Sequence, residues 1–326
     1  MKGIYITKFG GPDVLETKEV PMPTINENQV LIRTDAASVN FADIKIRKGI
    51  YPGVPELPIL PGLDGTGTLV EVGSNVTNVK VGQRVIAFPG SGSYADYFVS
   101  EGNLTFRIPD TIDVETAAAF PIVSFTAYNL LQQAASIAKG ETVLIHAAAG
   151  GVGTVAIQMA KLFGAGRVIG TVGSDQKRDI ARAAGADDVI NYEEEDFVEK
   201  VRASTDGKGV DIVLDSIGGG VFDKSFSILR MFGCIVNYGA ASGQTNRIET
   251  NNLFASCRSV VGYSLGSYRK YRPEALQKTA EKVIPLLANG DIQMVIGERF
   301  SLSEASKAHE WIEQRKSVGK VLLFPK

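Results

Sequence analysis

The loop at residues 147–153, Ala-Ala-Ala-Gly-Gly-Val-Gly, carries the clearest indication of chemistry in this sequence. It follows the apolar run 142–147 and precedes a stretch of helical character, which is the context of a dinucleotide-binding fingerprint. Unpaired N–H groups at a helix N-terminus bind phosphate, and glycines let the backbone approach it closely. Although Ala147 stands where the common motif has its first glycine, we predict a pyrophosphate site here. The alternative is a tight strand-to-helix turn that binds nothing.

The residues after the second predicted strand indicate which dinucleotide is bound. An NAD site places an acidic residue about 20 positions after the glycine motif, where it accepts hydrogen bonds from the ribose hydroxyls. Here Gly173 and Ser174 occupy that place, and Lys177 and Arg178 follow. The small residues leave room for a phosphate that the two cations can neutralise, so the pattern favours NADPH. The alternative is that both cations are solvated helix charges and that Asp175 binds a ribose.

Alternating strands and helices from about residue 123 must position these groups. Parallel strands need crossover helices and are buried on both faces, so this rhythm predicts a doubly wound parallel sheet of six strands. The predicted strands are 142–147, 167–172, 188–192, 210–215, 233–238 and 259–263, and the predicted helices are 151–163, 175–184 and about 194–203.

The rest of the chain predicts a second domain rich in strands. Short β-branched runs occupy 30–34, 67–72 and 84–88, and a proline cluster at 52–61 predicts a rigid loop. The last 60 residues predict a helix at 273–287, a capping box at Ser301 and Glu304 before a helix ending near Lys316, and a strand at 318–324. We expect domains at 1–122 and 123–266, with the segment 267–326 returning to the first.

Composition excludes several classes of function. The 34 Lys and Arg residues against 36 Asp and Glu residues give a net charge of −2, so no global attraction to nucleic acid or anionic lipid is expected. No apolar stretch of about 18 residues is present, so no membrane span is expected, and the first residues do not resemble a signal peptide. Cys234 and Cys257 are the only cysteines, which indicates a reduced compartment; we expect two core thiols and a cytoplasmic protein.

Several motifs along essentially the whole chain, taken together, resemble the zinc-independent quinone oxidoreductases of the medium-chain dehydrogenase/reductase superfamily, the group that includes zeta-crystallin. The resemblance implies an α/β protein with a GroES-like β-rich catalytic domain, a Rossmann domain with a doubly wound parallel sheet of six strands, and a cleft between the two. The matching stretches are Asn40-Phe41-Ala42-Asp43 with Arg47, then 49–52, 60–65, 126–128, 147–153, 190–192, 215–218 and 319–321.

The same resemblance implies how the phosphates of NADPH are bound. Lys177 and Tyr192, with Ser174, would surround the adenosine 2′-phosphate, and Gly151 and Val152 would contact the pyrophosphate. The alternative for Tyr192 is ordinary packing at the end of a strand.

The nicotinamide half would be held by Thr126 and the segment 238–242, with Tyr263 and Leu265 near the ring. Strand-end packing is again the alternative for Tyr238. The complete set of cofactor-binding residues that we predict is Asn40, Thr126, Gly150, Gly151, Val152, Gly173, Ser174, Lys177, Tyr192, Ser216, Tyr238, Gly239, Ser242, Tyr263 and Leu265.

A catalytic zinc is not expected. Zinc-dependent relatives carry a cysteine where Asn40 stands and a Gly-His-Glu sequence where Gly62, Leu63 and Asp64 stand. Neither Asn40 nor Leu63 is a zinc ligand, because zinc prefers cysteine, histidine and carboxylate donors. The four closely spaced cysteines of a structural zinc lobe are also missing from the sequence. Metal-dependent alcohol oxidation is therefore disfavoured.

Catalysis without a metal needs a donor for the charge that develops on a substrate oxygen during hydride transfer. Asn40 and Tyr51 are the candidates, because an amide N–H and a phenol O–H can both bind an oxyanion. The alternatives are that Tyr51 covers the edge of the core and that Asn40 shapes its loop or contacts the nicotinamide ribose. Asp43 and Arg47 lie four residues apart, which predicts an ion pair within a helix.

The predicted function is an NADPH:quinone oxidoreductase that transfers hydride directly to a quinone-like acceptor. One alternative is an NADPH-dependent 2-alkenal or enoyl reductase, because fold does not determine substrate. Another is a protein without enzymatic activity that binds NADPH, similar to a crystallin, or that binds RNA, although the sequence has no basic run. The apolar strand 259–263 predicts pairing with a second copy in a homodimer.

Overall fold

The computed structural model describes residues 1–90 and 92–325. Two structural units are present: Met1–Val123 with Ser267–Lys326 forms unit 1, and Ser124–Gly266 forms unit 2. The N-terminal part of unit 1 contains β1 (Lys2–Ile6), β2 (Leu15–Glu19), β3 (Gln29–Val39), α1 (Phe41–Arg47), β4 (Gly65–Val72), β5 (Arg84–Ala87), β6 (Tyr97–Glu101), β7 (Thr105–Arg107) and α2 (Val114–Ala119).

Helix α3 (Pro121–Tyr128) crosses into unit 2 and continues as a π-helical turn, Asn129–Ala134. The remaining elements of unit 2 are β8 (Thr142–Ile145), α4 (Gly151–Leu162), β9 (Arg167–Val172), α5 (Arg178–Ala183), β10 (Asp188–Asn191), α6 (Phe197–Ser204), β11 (Val210–Asp215), α7 (Gly220–Ser227), β12 (Leu229–Asn237), α8 (Thr250–Ser256) and β13 (Ser259–Gly262). Helix α9 (Leu265–Tyr271) leads back to unit 1, which ends with α10 (Pro273–Ala288), β14 (Ile296–Ser301), α11 (Ala305–Glu313) and β15 (Lys320–Phe324).

Unit 2 is built on a parallel sheet with the strand order β10-β9-β8-β11-β12-β13. This is the order of dinucleotide-binding doubly wound folds, and it confirms the predicted sheet. Every residue of β8 is buried because helices cover both faces. The side chains of Leu144, Ile169, Val213 and Ile235 form the centre of the core on one face, and Phe197 of α6 packs against them.

Unit 1 is built on a mixed sheet with the order β14-β15-β3-β4-β5-β7, and β6 also pairs with β3. The long strand β3 alternates buried and exposed positions over part of its length, and Val30 and Ile32 pack with Leu69, Val85 and Phe98. The last strand, β15, runs antiparallel to β3. The C-terminal segment therefore lies in the same unit as the N-terminal strands, and the pairing of Val321 with Val39 places Lys320 beside the end of β3.

Some local details differ from the predictions. The helix expected around 194–203 begins at Phe197, because the Asp196 carboxylate caps it by accepting the N–H groups of Val198 and Glu199. Cys234 is buried as expected, but Cys257 is exposed because it forms the left-handed C-cap of the surface helix α8.

Among the helices that the structure describes, none has the length and apolar character needed to cross a bilayer.

Candidate functional site

The glycine loop joins β8 to α4 in unit 2. Helix α4 begins at Gly151, with Gly150 as its N-cap, and its first N–H groups have no acceptor within the helix. A Cβ atom on Gly153 would lie 2.4 Å from the carbonyl oxygen of Ala147, so only glycine allows the helix to pack this closely on the loop. Ala147 adopts a φ of +53°, which is the conformation that a glycine at the first motif position would favour. Gly150, Gly151 and Val152 are half-buried, so their backbone can reach a phosphate.

The end of β9 lies against Tyr192. The N–H of Tyr192 donates to the Val172 carbonyl oxygen at 3.1 Å. A Cβ atom on Gly173 would lie 2.7 Å from the Tyr192 hydroxyl oxygen. An acidic side chain of the kind that binds the ribose in NAD sites therefore has no room here unless Tyr192 moves.

Two cations, Lys177 and Arg178, follow β9. Arg178 donates to the Asp175 carboxylate at 2.6 Å and also pairs with Glu195. Together with Lys200, Arg178 lowers the pKa of Glu195 to about 2. Arg178 is thus neutralised within the protein, and our expectation that it would pair with a phosphate is wrong. Lys177 lies half-buried at the end of the turn Asp175–Lys177, directly after Ser174.

The ends of β11 and β12 are joined by backbone hydrogen bonds. The Tyr238 N–H donates to the Asp215 carbonyl oxygen, and the Ser242 N–H donates to the Ile217 carbonyl oxygen, both at 2.9 Å. A Cβ atom on Gly239 would lie 2.8 Å from the carbonyl oxygen of Ser216. Burial raises the pKa of Tyr238 to about 12, so its hydroxyl stays protonated. The predicted residues Ser216, Tyr238, Gly239 and Ser242 are therefore brought together at the carboxyl edge of the sheet.

The three remaining predicted residues of unit 2 lie on or beside helices. Thr126 is buried in α3, and Leu265 is the first residue of α9. Tyr263 follows β13, and its hydroxyl accepts a hydrogen bond from the Asn129 amide at 3.0 Å. The sequence carried no signal for Asn129, because its contact lies 134 residues away along the chain.

In unit 1, the Asn40 side chain lies in a buried polar cluster and is only 7% exposed. Its Nδ2 donates to Asp64 Oδ1 at 2.9 Å, and its Oδ1 accepts from Lys320 Nζ at 2.6 Å. Ser38 donates to the same Asp64 oxygen at 2.6 Å. Because both polar atoms of the amide have protein partners, the geometry favours the alternative in which Asn40 shapes its loop.

Asp43 and Arg47, predicted to pair within α1, have other partners. The Asp43 carboxylate accepts the N–H groups of Asn40 at 2.9 Å and Gly62 at 3.2 Å, while Arg47 pairs with Glu313 at 2.8 Å. The predicted ion pair is therefore wrong: Asp43 turns back to cap the helix, and the buried Arg47 reaches α11. Burial raises the pKa of Asp43 to about 7 despite the two N–H donors.

Tyr51 lies half-buried in the proline-rich loop and packs against a core that includes Ile6, Ile46 and Ile59. Burial raises the pKa of the Tyr51 hydroxyl, and the positive charge of Arg269 opposes this shift. Arg269, in α9, donates to the carbonyl oxygens of Leu63 and Pro89. Sequence reasoning missed Arg269, because it lies close to Lys270 and Arg272 and such a basic stretch is typical of a solvent-exposed surface.

Lys320 was also missed as a site residue, although the closing Gly319-Lys320-Val321 motif contains it. It is 4% exposed, and burial lowers the pKa of its ammonium while Asp64 and Asp43 raise it. Its contact with Asn40 spans 280 residues of sequence.

Comparisons with known proteins extend over the whole chain. The model of the alcohol dehydrogenase GroES-like domain matches residues 26–110, and that of the zinc-binding dehydrogenase family matches residues 151–281. A quinone oxidoreductase of Pseudomonas aeruginosa is 38% identical over 326 residues, covering 99% of each chain. The crystal structure of Escherichia coli quinone oxidoreductase complexed with NADPH is 36% identical, with a TM-score of 0.93 and full coverage of both chains. A mycobacterial structure complexed with NADPH is 35% identical, with the same TM-score and coverage.

A GroES-like unit and a parallel sheet of the dinucleotide-binding order define a medium-chain dehydrogenase/reductase. Within that superfamily, the chain belongs to the zinc-independent quinone oxidoreductase family.

The residues at the zinc position of dehydrogenases do not suit a metal ion. The ammonium of Lys320 lies 2.6 Å from Asn40 Oδ1, so a cation beside this amide would meet another cation. Across residues 1–90 and 92–325, no group of three or more His, Cys, Asp or Glu side chains could hold a metal.

Proposed function

We propose that this protein is an NADPH-dependent reductase of quinone-like acceptors. The observation that carries the proposal is the arrangement at the end of β9, where the Tyr192 hydroxyl lies against Gly173 and leaves no room for the carboxylate of an NAD site unless Tyr192 moves. The N-terminus of α4 and Lys177 would supply the groups that attract the pyrophosphate and the 2′-phosphate. The full-length similarity to quinone oxidoreductases supports the acceptor class.

The predicted cofactor residues of unit 2 divide by the part of NADPH that they would bind. Gly150, Gly151 and Val152 would hold the pyrophosphate, and Gly173, Ser174, Lys177 and Tyr192 would surround the adenosine 2′-phosphate. The nicotinamide half would be bound by Thr126, Ser216, Tyr238, Gly239, Ser242, Tyr263 and Leu265.

When bound, NADPH supplies a hydride for direct transfer to the acceptor. The side chains then serve to orient the acceptor and to donate hydrogen bonds to its oxygen. Tyr51 is a suitable donor because a phenol O–H can donate a hydrogen bond to an oxyanion. In this proposal Asn40 positions the loop before α1, and hydrogen bonds to Lys320 and Asp64 hold its side chain in place. Quinones are flat and easily reduced, so positioning is the main requirement.

We also propose that the protein is a cytoplasmic homodimer. Strand β13 pairs with β12 on one side, and Val260 and Val261 are only partly buried. An edge of this kind gains by pairing with a second copy of itself. Static light scattering at micromolar concentration should give a mass near twice 34.8 kDa. A monomeric mass would contradict the dimer and would leave the proposed reaction untouched.

The reaction is tested with protein treated with EDTA, given NADPH or NADH, and assayed against a panel of quinones and 2-alkenals by the loss of reduced nicotinamide absorbance. The proposal predicts quinone turnover that prefers NADPH and survives chelation. Turnover of alkenals alone would assign the protein to the enoyl reductases instead. Binding of NADPH without any turnover would favour the non-enzymatic alternative.

A further inference from the structure

Arg269 carries a charge that no carboxylate neutralises directly within the described residues. Its guanidinium donates to the carbonyl oxygens of Leu63, at 3.3 Å, and Pro89, at 2.6 Å, and lies over the Phe88 ring at 5.5 Å from the centroid. A guanidinium has five N–H donors. Two of the five are used here, so three have no acceptor in the part of the chain that the structure describes. Carbonyl partners fix the orientation of the group without cancelling its charge.

The surroundings of Arg269 strengthen any interaction that these donors make. Arg269 is half-buried. Burial lowers the pKa of its guanidinium, whereas the charges of Asp64, Asp43 and Tyr51 raise it. In such a setting, a hydrogen bond to a developing negative charge is stronger than in water.

The two neighbouring carboxylates are not available as partners. Asp64 accepts from Ser38, Asn40 and the N–H of Ile122, and Asp43 accepts two backbone N–H groups. Lys320 adds a second buried positive charge close to both carboxylates. Among the described residues, both carboxylates therefore accept hydrogen bonds from other groups, and neither accepts one from Arg269.

We propose that Arg269 binds the carbonyl oxygen of the acceptor and stabilises the negative charge that forms on it during reduction. This inference deepens the proposed function and rests on it for the identity of the reaction. It assigns the acceptor to flat conjugated carbonyl compounds, quinones foremost, whose reduction places an electron pair on oxygen. The hydride adds with its electron pair to the conjugated system, a carbonyl π pair moves to oxygen, and NADP⁺ is left. The oxyanion then takes a proton from the Tyr51 hydroxyl or from water.

Arg269 also ties α9 to two loops, so the test must separate binding of an oxygen from support of the fold. Arg269→Met and Arg269→Lys are compared with Lys270→Met, a matched control that removes an exposed cation from the same helix. Removing an oxyanion donor typically lowers turnover by about 10²–10³-fold. Arg269→Met should lower kcat for 1,4-naphthoquinone by about this factor. Arg269→Lys should keep part of the wild-type kcat, because it retains the positive charge. Neither variant should change the affinity for NADPH.

A binding measurement makes the inference independent of turnover. The anion of 2-hydroxy-1,4-naphthoquinone is compared with its neutral 2-methoxy analogue by calorimetry, without cofactor. The wild type and Lys270→Met should prefer the anion, and Arg269→Met should lose that preference. Equal preference in wild type and Arg269→Met would overturn the inference, even if quinone turnover is confirmed. If the anion preference depends on Arg269 but no variant oxidises NADPH, the site stands and the proposed function fails.

Discussion

The ammonium of Lys320 and the amide oxygen of Asn40 lie 2.6 Å apart, and the same amide donates to Asp64 at 2.9 Å. Asn40 therefore bridges a buried cation and a buried anion that do not contact each other directly. Each of these charges would be costly to bury alone, and the amide lets them offset one another. The bridge joins the first residue of β15 to the start of α1 and explains why an asparagine suits this position.

Removing the cation from this bridge should destabilise the protein strongly. Lys320→Met leaves Asn40 Oδ1 without its donor and removes a buried positive charge near Asp64 and Asp43, so a loss of about 1.5–3 kcal/mol in the free energy of unfolding is expected. The exposed Lys316, which lies over Trp311, is the matched control, and Lys316→Met should change stability by less than about 1 kcal/mol. Urea unfolding followed by fluorescence measures both; equal effects in the two variants would refute the bridge.

Enlarging Gly173 should weaken cofactor binding. In Gly173→Ala the new methyl group would lie 2.7 Å from the Tyr192 hydroxyl oxygen, so Tyr192 must move. If Tyr192 donates to the 2′-phosphate, displacing its hydroxyl removes a charged hydrogen bond of about 1.5–3 kcal/mol, so the Kd for NADPH should rise by about 10–100-fold. Gly220→Ala, at the start of α7, where a Cβ meets no atom within 4 Å, is the matched comparison and should leave the Kd unchanged. An unchanged Kd in Gly173→Ala would remove Tyr192 from the phosphate site.

Removing the charge of Lys177 should alter cofactor preference. A charged hydrogen bond contributes about 1.5–3 kcal/mol, so Lys177→Met should weaken NADPH binding by about 10–100-fold and leave NADH binding unchanged. Arg182→Met provides the control, because Arg182 is an exposed cation nearby that pairs with Asp179. Titration of nicotinamide fluorescence gives both constants. Parallel losses for NADPH and NADH would show that Lys177 does not bind the 2′-phosphate.

The fold was predictable from sequence because its main signals are local. Apolar runs such as the one that forms β8, each followed by a helical stretch, specify a parallel sheet, and glycines at 150, 151 and 153 mark the turn at which we propose phosphate binding. The small residues at 173 and 174, which led us to predict NADPH, are also a local signal. These features depend on neighbours within a few tens of residues.

The buried cluster of unit 1 was not predictable for the opposite reason. The rule for residues four apart in a helix predicted a pair between Asp43 and Arg47, but tertiary partners prevailed: the N–H of Gly62 for one and Glu313 for the other. The contacts of Arg269 and Lys320 span 180 and 280 residues, and no local pattern carries that information.

The stability of the protein should fall in mild acid because of His309. Burial, with the nearby charge of Arg47, lowers the pKa of this imidazole to about 3, from an ordinary value of 6.5. Below pH 6.5 His309 binds a proton in the unfolded chain but not in the folded protein. The stability that is present above pH 6.5 is therefore lost as the pH falls toward 3. Between pH 6.5 and 4.5 this single group should account for a loss of about 2–3 kcal/mol.

A substitution isolates that contribution. His309→Gln should be less stable at pH 7 but should lose about 2–3 kcal/mol less than the wild type between pH 6.5 and 4.5. Tyr94→Phe, which removes the hydroxyl 3.3 Å from His309 without removing the titrating group, should keep the wild-type slope. Urea unfolding at several pH values provides the comparison. Identical slopes in wild type and His309→Gln would assign the acid sensitivity to other groups.

The most direct test of the central claim is a single turnover without oxygen. The protein, loaded with NADPH in which C4 carries deuterium on one face or the other, is mixed with 1,4-naphthoquinone in a stopped-flow instrument. The proposal predicts that one NADPH is consumed for each hydroquinone formed, and that deuterium slows the reaction on one face only. If bound NADPH persists unchanged in the presence of the quinone, the protein is not a quinone reductase.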